Sequence, residues 1–256
     1  MSKITNSEIK PFIIEDGNNT SYISSLLVSL YFVSSPLDRT FKRKLSSGYS
    51  YYLQEFINRR FVIPIKKAQS VDFSTINALR NVLFLGEWKD YTKWINNHNI
   101  KDLYKYLMQE FKEPCIELID SNNKKSQVDY LEFNCENIND NIEIKHILDS
   151  VLADKYICNI PTIIPIYLKN KNFQLDIQKK IFLNNKYYFH SMVCKEDNGH
   201  YYTFLYHKQM DEFIIFSDNS VPCMTILKRE NNNIKKIIEK IKKDCKMVFY
   251  LLDKSI

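Results

Sequence analysis

Thr20-Ser21-Tyr22-Ile23-Ser24-Ser25-Leu26-Leu27 opens a run in which Tyr22, Ile23, Leu26, Leu27, Leu30 and Tyr31 recur at helical spacing. The pattern predicts an amphipathic helix with Ser21 in its first turn. Far downstream, Gly199-His200-Tyr201-Tyr202 begins an aromatic run, and Phe216-Ser217-Asp218-Asn219-Ser220-Val221 closes a later apolar one. The start of a helix carries the positive end of its dipole and free backbone N–H groups, which activate a nucleophile and stabilise a developing oxyanion. A histidine from another segment can act as general base, and an acid or amide beyond it can hold the ring in one tautomer. The chain offers these types in the order Ser21, His200, Asp218. His200 stands apart from His98, His146, His190 and His207 because Gly199 precedes it and it opens an aromatic strand.

Outward from these segments the chain divides by periodicity. Residues 1–20 are polar and irregular, with Pro11 and the turn-like Asp16-Gly17-Asn18-Asn19. From 37 to 113, apolar residues recur at helical spacing: Tyr51, Leu53, Phe56, Ile57 and Phe61, then Ile76, Leu79, Val82 and Leu83, then Leu103, Tyr106, Leu107 and Phe111. After Pro114 extended segments dominate: Cys115 to Ile119, Val128 to Phe133, Ile163 to Leu168, Lys186 to Val193, Tyr201 to Tyr206, Glu212 to Phe216 and Met247 to Leu252. Short helices are expected at Ile144–Leu152 and Glu230–Lys243. Helices followed by mostly antiparallel strands make an α+β arrangement, with a cleft between the halves as the natural site.

The 256 residues are 45% hydrophobic and 26% charged, as in an ordinary soluble domain. A net charge of +6 is too modest to argue for nucleic acid. The basic stretch from Lys228 and Arg229 through Lys235, Lys236, Lys240, Lys242 and Lys243 reads as a solvated helix face. The start, Met1 to Asn6, lacks the apolar core of a signal peptide, and Tyr22 to Val33 is too short to span a bilayer. A cytoplasmic or nuclear setting without membrane is expected. The six cysteines form no Cys-x-x-Cys pair, so neither zinc nor a disulfide framework is expected, and nothing calls for a cofactor. Abundant Asn, Ile, Lys and Tyr, all with AT-rich codons, hint at an AT-rich genome such as those of some large viruses, parasites or low-GC bacteria.

The two quoted segments resemble the Cys box and His box of the ubiquitin-specific proteases. Asn19, Thr20, Tyr22, Ser25 and Leu27 match the Cys box around Ser21, and Gly199-His200-Tyr201 matches the His box. Ile160-Pro161-Thr162-Ile163-Ile164-Pro165-Ile166-Tyr167-Leu168-Lys169 is similar to the segment that precedes the His box in that family, Tyr187-Tyr188-Phe189 to its next strand, and Met247 to Leu252 to its closing aromatic strand. Asp102 to Leu107 is a fainter match to one of its helices. The resemblance implies one domain, 1–256, of the papain-like cysteine peptidase fold: a mainly helical thumb over 1–115, a mainly β palm with a late helix over 116–256, and reduced fingers. It implies hydrolysis of the peptide or isopeptide bond after the C-terminal glycine of ubiquitin or a ubiquitin-like protein. His200 would be the base and Asp218 its orienter, and Gly199, Tyr201 and Tyr202 would line the channel for the substrate's tail.

Four departures from the family pattern matter. Ser21 stands where the family has its cysteine. Asp16 occupies the place of the oxyanion-stabilising asparagine, where a carboxylate would repel an oxyanion; Asn18 or Asn19 could compensate. Ser217 replaces the usual third member, and the zinc-binding fingers are absent. A hydroxyl is far less acidic than a thiol, so it does not simply replace a thiolate. Three readings follow: an engineered Cys→Ser change in an active protease, a natural pseudoenzyme that binds ubiquitin or serves as a structural or virion component of a larger assembly, and a working serine nucleophile.

Overall fold

The computed structural model describes residues 9–17, 19–46, 48–88, 99–136, 141–169, 174–227 and 234–253. Helices come first: α1 (Ser21–Tyr31), α2 (Arg39–Lys42), α3 (Tyr49–Ile57), α4 (Ile63–Lys66), α5 (Phe73–Leu85) and α6 (Ile100–Glu110). A π-helical turn, Asn58–Val62, joins α3 to α4. Strands follow: β1 (Ile116–Asp120), β2 (Lys125–Val128), β3 (Leu131–Asn134), β4 (Ile142–Glu143), then α7 (Ile144–Val151), β5 (Lys155–Ile157), β6 (Ile163–Lys169), β7 (Leu175–Asp176), β8 (Lys180–Phe182), β9 (Lys186–Lys195), β10 (Tyr201–His207), β11 (Glu212–Phe216), β12 (Met224–Leu227), α8 (Ile234–Asp244) and β13 (Cys245–Leu252). The molecule is α+β with mainly antiparallel sheets.

The main sheet runs β12-β11-β10-β9-β13-β6-β3. All its neighbours are antiparallel except β3 and β6. The short β8 pairs with the start of β9 on the edge that β10 occupies further along. Both faces are covered, so the central strands are apolar nearly throughout, as buried strands must be. Val193, Leu205, Phe216 and Phe249 face the helical half. Met192, Phe204, Val248 and Tyr250 belong to the core on the other face, with Ile147 and Leu148 of α7 and Ile241 of α8.

Every residue of α1 is buried. A helix enclosed on all sides can carry no charge, and its small polar residues need internal partners. Of its four serines, Ser21, Ser24 and Ser29 have such partners and Ser25 Oγ has none among the described residues. Ser29 Oγ donates to the Leu26 carbonyl at 2.8 Å. Strand hydroxyls reach the helix's carbonyls in turn: Thr203 Oγ1 donates to Ser25 O at 2.7 Å and Ser191 Oγ to Ser29 O at 2.9 Å. These bonds fix α1 along β9 and β10, and so fix Ser21 against the start of β10.

The sequence suggests one strand over 128–133, but the chain breaks at Asp129 and Tyr130. β2 folds back on β1, while β3 joins the main sheet beside β6. β1, β2 and β5 form a separate three-stranded sheet. The late helix begins at Ile234; residues 230–233 of its expected span lie outside the described residues.

Candidate active site

The loop ahead of α1 is tied down before the helix begins. Ile14 bridges to Val71, and the Glu15 carboxylate accepts the Phe73 N–H at 2.9 Å. Thr20 precedes α1 in helical conformation, and its side chain does not cap the helix. Thr20 Oγ1 instead accepts the Gly17 N–H at 2.9 Å. Gly17 has to be glycine, since a Cβ there would lie 2.6 Å from Thr20 Oγ1 and 2.9 Å from a methyl of Ile76. Asn19 is exposed with φ +57°, a left-handed conformation that asparagine tolerates. Asp16 is also exposed, and Asn18 lies outside the described residues.

Ser21 is almost fully buried, and its Oγ accepts the backbone N–H of Tyr201 at 3.1 Å. The hydroxyl therefore lies beside the residue that follows His200, across 180 residues of sequence. His200 ends the tight connection from β9 to β10. Glu196 N–H donates to the His200 carbonyl, Gly199 N–H to the Glu196 carbonyl, and Asn198 Oδ1 accepts the His200 N–H. Gly199 has φ +91° and open space where a Cβ would be. The turn's backbone is what demands glycine here; no group presses close to it.

His200 Nε2 lies 3.0 Å from Ser217 Oγ and 3.4 Å from Asp218 Oδ1. Sequence reasoning assigns the orienting role to Asp218, but the hydrogen-bonded neighbour is Ser217. Ser217 Oγ in turn donates to Asn219 Oδ1 at 2.7 Å. Asp218 is held differently. Its side chain is fully enclosed, Oδ2 accepts a 2.6 Å hydrogen bond from Ser24 Oγ, and Oδ1 has no hydrogen-bond partner. Burial raises the Asp218 carboxyl above the usual carboxylate range, and the nearby charge of Asp16 adds to the rise. The Ser24 hydroxyl and His200 oppose it.

The two tyrosines of the expected channel part company, because successive strand residues point to opposite faces. Tyr201 packs toward the helical half, with Lys195 Nζ 5.2 Å from its ring centre. Tyr202 packs on the other face, and its hydroxyl donates to Asp244 of α8 at 2.9 Å. Tyr202 also helps line a cavity of about 220 Å³ that includes Ser217, Asn219, Ile215, Ile237 and Ile241. Only the Tyr202 side reaches this space behind Ser217.

Sequence reasoning missed two members. Ser24 lies three residues after Ser21, hence on the same helix face, which was a usable signal. Asn219 lies two residues after Ser217, a spacing at which a short amide reaches back within a turn. Among the described residues, no group of three or more His, Cys, Asp or Glu is placed to hold a metal ion, and no helix is long and apolar enough to cross a membrane. The assembled site thus has a hydroxyl at a helix start, an imidazole whose Nε2 is tethered, and a buried carboxylate beside that nitrogen. No protein-family model matches the chain, and no curated protein matches it significantly.

Proposed function

We propose that this chain is a ubiquitin-specific-protease-like domain of the papain-like fold, with a serine at the nucleophile position. The observation that supports it best is the convergence of Ser21, His200, Ser217 and Asp218 at the start of α1. The motif resemblance supplies the substrate class, a ubiquitin or ubiquitin-like C-terminus. In the parent reaction a residue-21 thiolate adds to the carbonyl carbon of the terminal glycine, forming a thioester as the bond to the following amine breaks. His200 passes its proton to the leaving amine, and water then cleaves the thioester. With Ser21 the first step lacks a ready anion. Ser21 Oγ already accepts a backbone N–H, and Asp16 stands where an oxyanion donor is expected.

Those two features support a second reading beside the first, a domain that binds a ubiquitin-like protein without cleaving it, on its own or within a larger assembly. The deciding experiment is Ser21→Cys, assayed beside the parent chain for release of a fluorophore from the ubiquitin C-terminus. Cleavage by the cysteine form alone is the expected result. Failure of both forms, with ubiquitin still bound, would establish the binding reading. Failure of both cleavage and binding would overturn the proposal.

A further inference from the structure

We propose that Asn219, acting through Ser217, holds the His200 imidazole as the Nε2–H tautomer and so leaves Nδ1 as its basic nitrogen. A hydroxyl has one proton to give. The Asn219 carbonyl oxygen can only accept, so at 2.7 Å it takes the proton of Ser217 Oγ. Ser217 Oγ, 3.0 Å from His200 Nε2, is then an acceptor on that side, and the proton between them belongs to Nε2.

One further contact agrees with this direction. Asp218 Oδ1 lies 3.4 Å from Nε2 without a hydrogen bond of its own. A carboxylate oxygen there stabilises an N–H and repels a lone pair. The opposite orientation of the amide would send Asn219 N–H to Ser217 and Ser217 O–H to Nε2, giving the Nδ1–H tautomer with its lone pair facing Asp218.

Asn219 is well placed to act as a fixed reference. Ser217 N–H donates to the Cys223 carbonyl at 2.8 Å and Ser220 N–H to the Ser217 carbonyl at 3.2 Å, so the turn that carries Asn219 is anchored at both ends. Without Asn219 the Ser217 hydroxyl can turn either its proton or its lone pair toward His200. Asn219 is thus a positioning residue, one step removed from the imidazole. Its importance to turnover rests on the peptidase-type reading above; the tautomer it sets can be measured without any substrate.

The test is a long-range ¹H–¹⁵N correlation spectrum of the imidazoles in the full ¹⁵N-labelled chain, recorded where the rings are neutral. The His200 signals are identified by their loss in His200→Gln. The expected result is Nε2–H in the parent chain, kept in Asn219→Asp, whose side chain can only accept, and replaced by a tautomer mixture in Asn219→Leu. Nδ1–H in the parent chain, or an unchanged tautomer in Asn219→Leu, would overturn the proposal. The parent spectrum decides the matter even if Asn219→Leu does not fold. In the Ser21→Cys background, Asn219→Leu is expected to lower kcat about fivefold to tenfold with KM unchanged, and Asn219→Asp to restore it. If Ser21→Cys never cleaves, the peptidase reading falls while the spectra still decide the tautomer.

Discussion

Two histidines approach opposite ends of the same buried helix, and they are built for different ends. His200 meets the start of α1, where its Nε2 has a hydroxyl and a carboxylate within 3.4 Å. His190 meets the last turn of α1 and is wholly enclosed. Neither of its ring nitrogens makes a well-formed hydrogen bond, although the backbone of Ser29 and Leu30 lies close enough to favour a proton. Burial wins, with Lys66 adding repulsion, and His190 is pushed down from 6.5 to about 4. Tyr188 stacks edge-on against its ring at 6.5 Å. A bulge in the β9–β13 pairing, where Phe249 faces Ser191 and Tyr250 faces Phe189, leaves His190 without a partner in the ladder and turned toward α1. The lesson is that proximity to the helix does not make a histidine reactive. On the proposed reading, partners at the ring nitrogen do.

The sharpest way to break this comparison is kinetic. In the Ser21→Cys background, His200→Gln should lower turnover by about 10²- to 10⁴-fold, the usual contribution of a general base. His190→Leu should leave turnover within about twofold, because the ring is walled off from the site. Equal losses from the two substitutions, in proteins that remain folded, would remove the distinction.

The second effect is on stability and falls on His190 alone. Its folded value lies below its unfolded one, so the fold binds that proton less readily than the unfolded chain does. The stability from keeping His190 neutral is present above 6.5 and is lost as pH falls toward about 4. The loss over that window is about 3 kcal/mol. Urea unfolding at pH 7 and pH 4.5, repeated with His190→Leu, would read it. The variant should show a flatter pH dependence, and an unchanged slope would show that other groups carry the acid response.

Much of this site could be read from residue order. Helical spacing located α1 and put Ser21 at its head, and Gly199-His200 marked the end of a strand connection. What could not be read was pairing at a distance. Ser24 looks like one of several serines that interrupt an apolar run, and its partner Asp218 is 194 residues away. By residue type the third group reads as Asp218, since Ser217 is neither an acid nor an amide and Asp218 is its neighbour. The structure gives the hydrogen bond to Ser217 because the backbone after Phe216 turns Asp218 inward to Ser24. The three-stranded sheet was equally hidden. β2 has no buried residue, and β5 exposes Tyr156, so neither carries a clear alternation. The parallel β3–β6 pair depends on a register that no local pattern encodes.

The smallest effect expected separates Asp218 from both histidines. Ser24 Oγ has one proton and two acceptors within reach, Asp218 Oδ2 at 2.6 Å and Thr20 O at 3.2 Å. The shorter bond to a carboxylate is the stronger one. Ser24→Ala would leave both oxygens of a buried carboxylate without a hydrogen bond, at a loss of about 1–3 kcal/mol at neutral pH. The sign with pH follows from the direction of the shift. The folded carboxyl is raised, so its protonated form suits the fold, and stability is lost as pH rises through the folded value. Removing Ser24 raises it further, so the penalty of Ser24→Ala should be slight in acid and grow toward neutrality. Adding Asp218→Asn should erase most of it, since no charge then remains to be held. Denaturation midpoints of the single and double variants at pH 4 and pH 7 would decide. A Ser24→Ala loss that is the same at both pH values and survives Asp218→Asn would make Ser24 a matter of packing alone, and would leave the Asp218 charge opposed by Asp16 and favoured by His200.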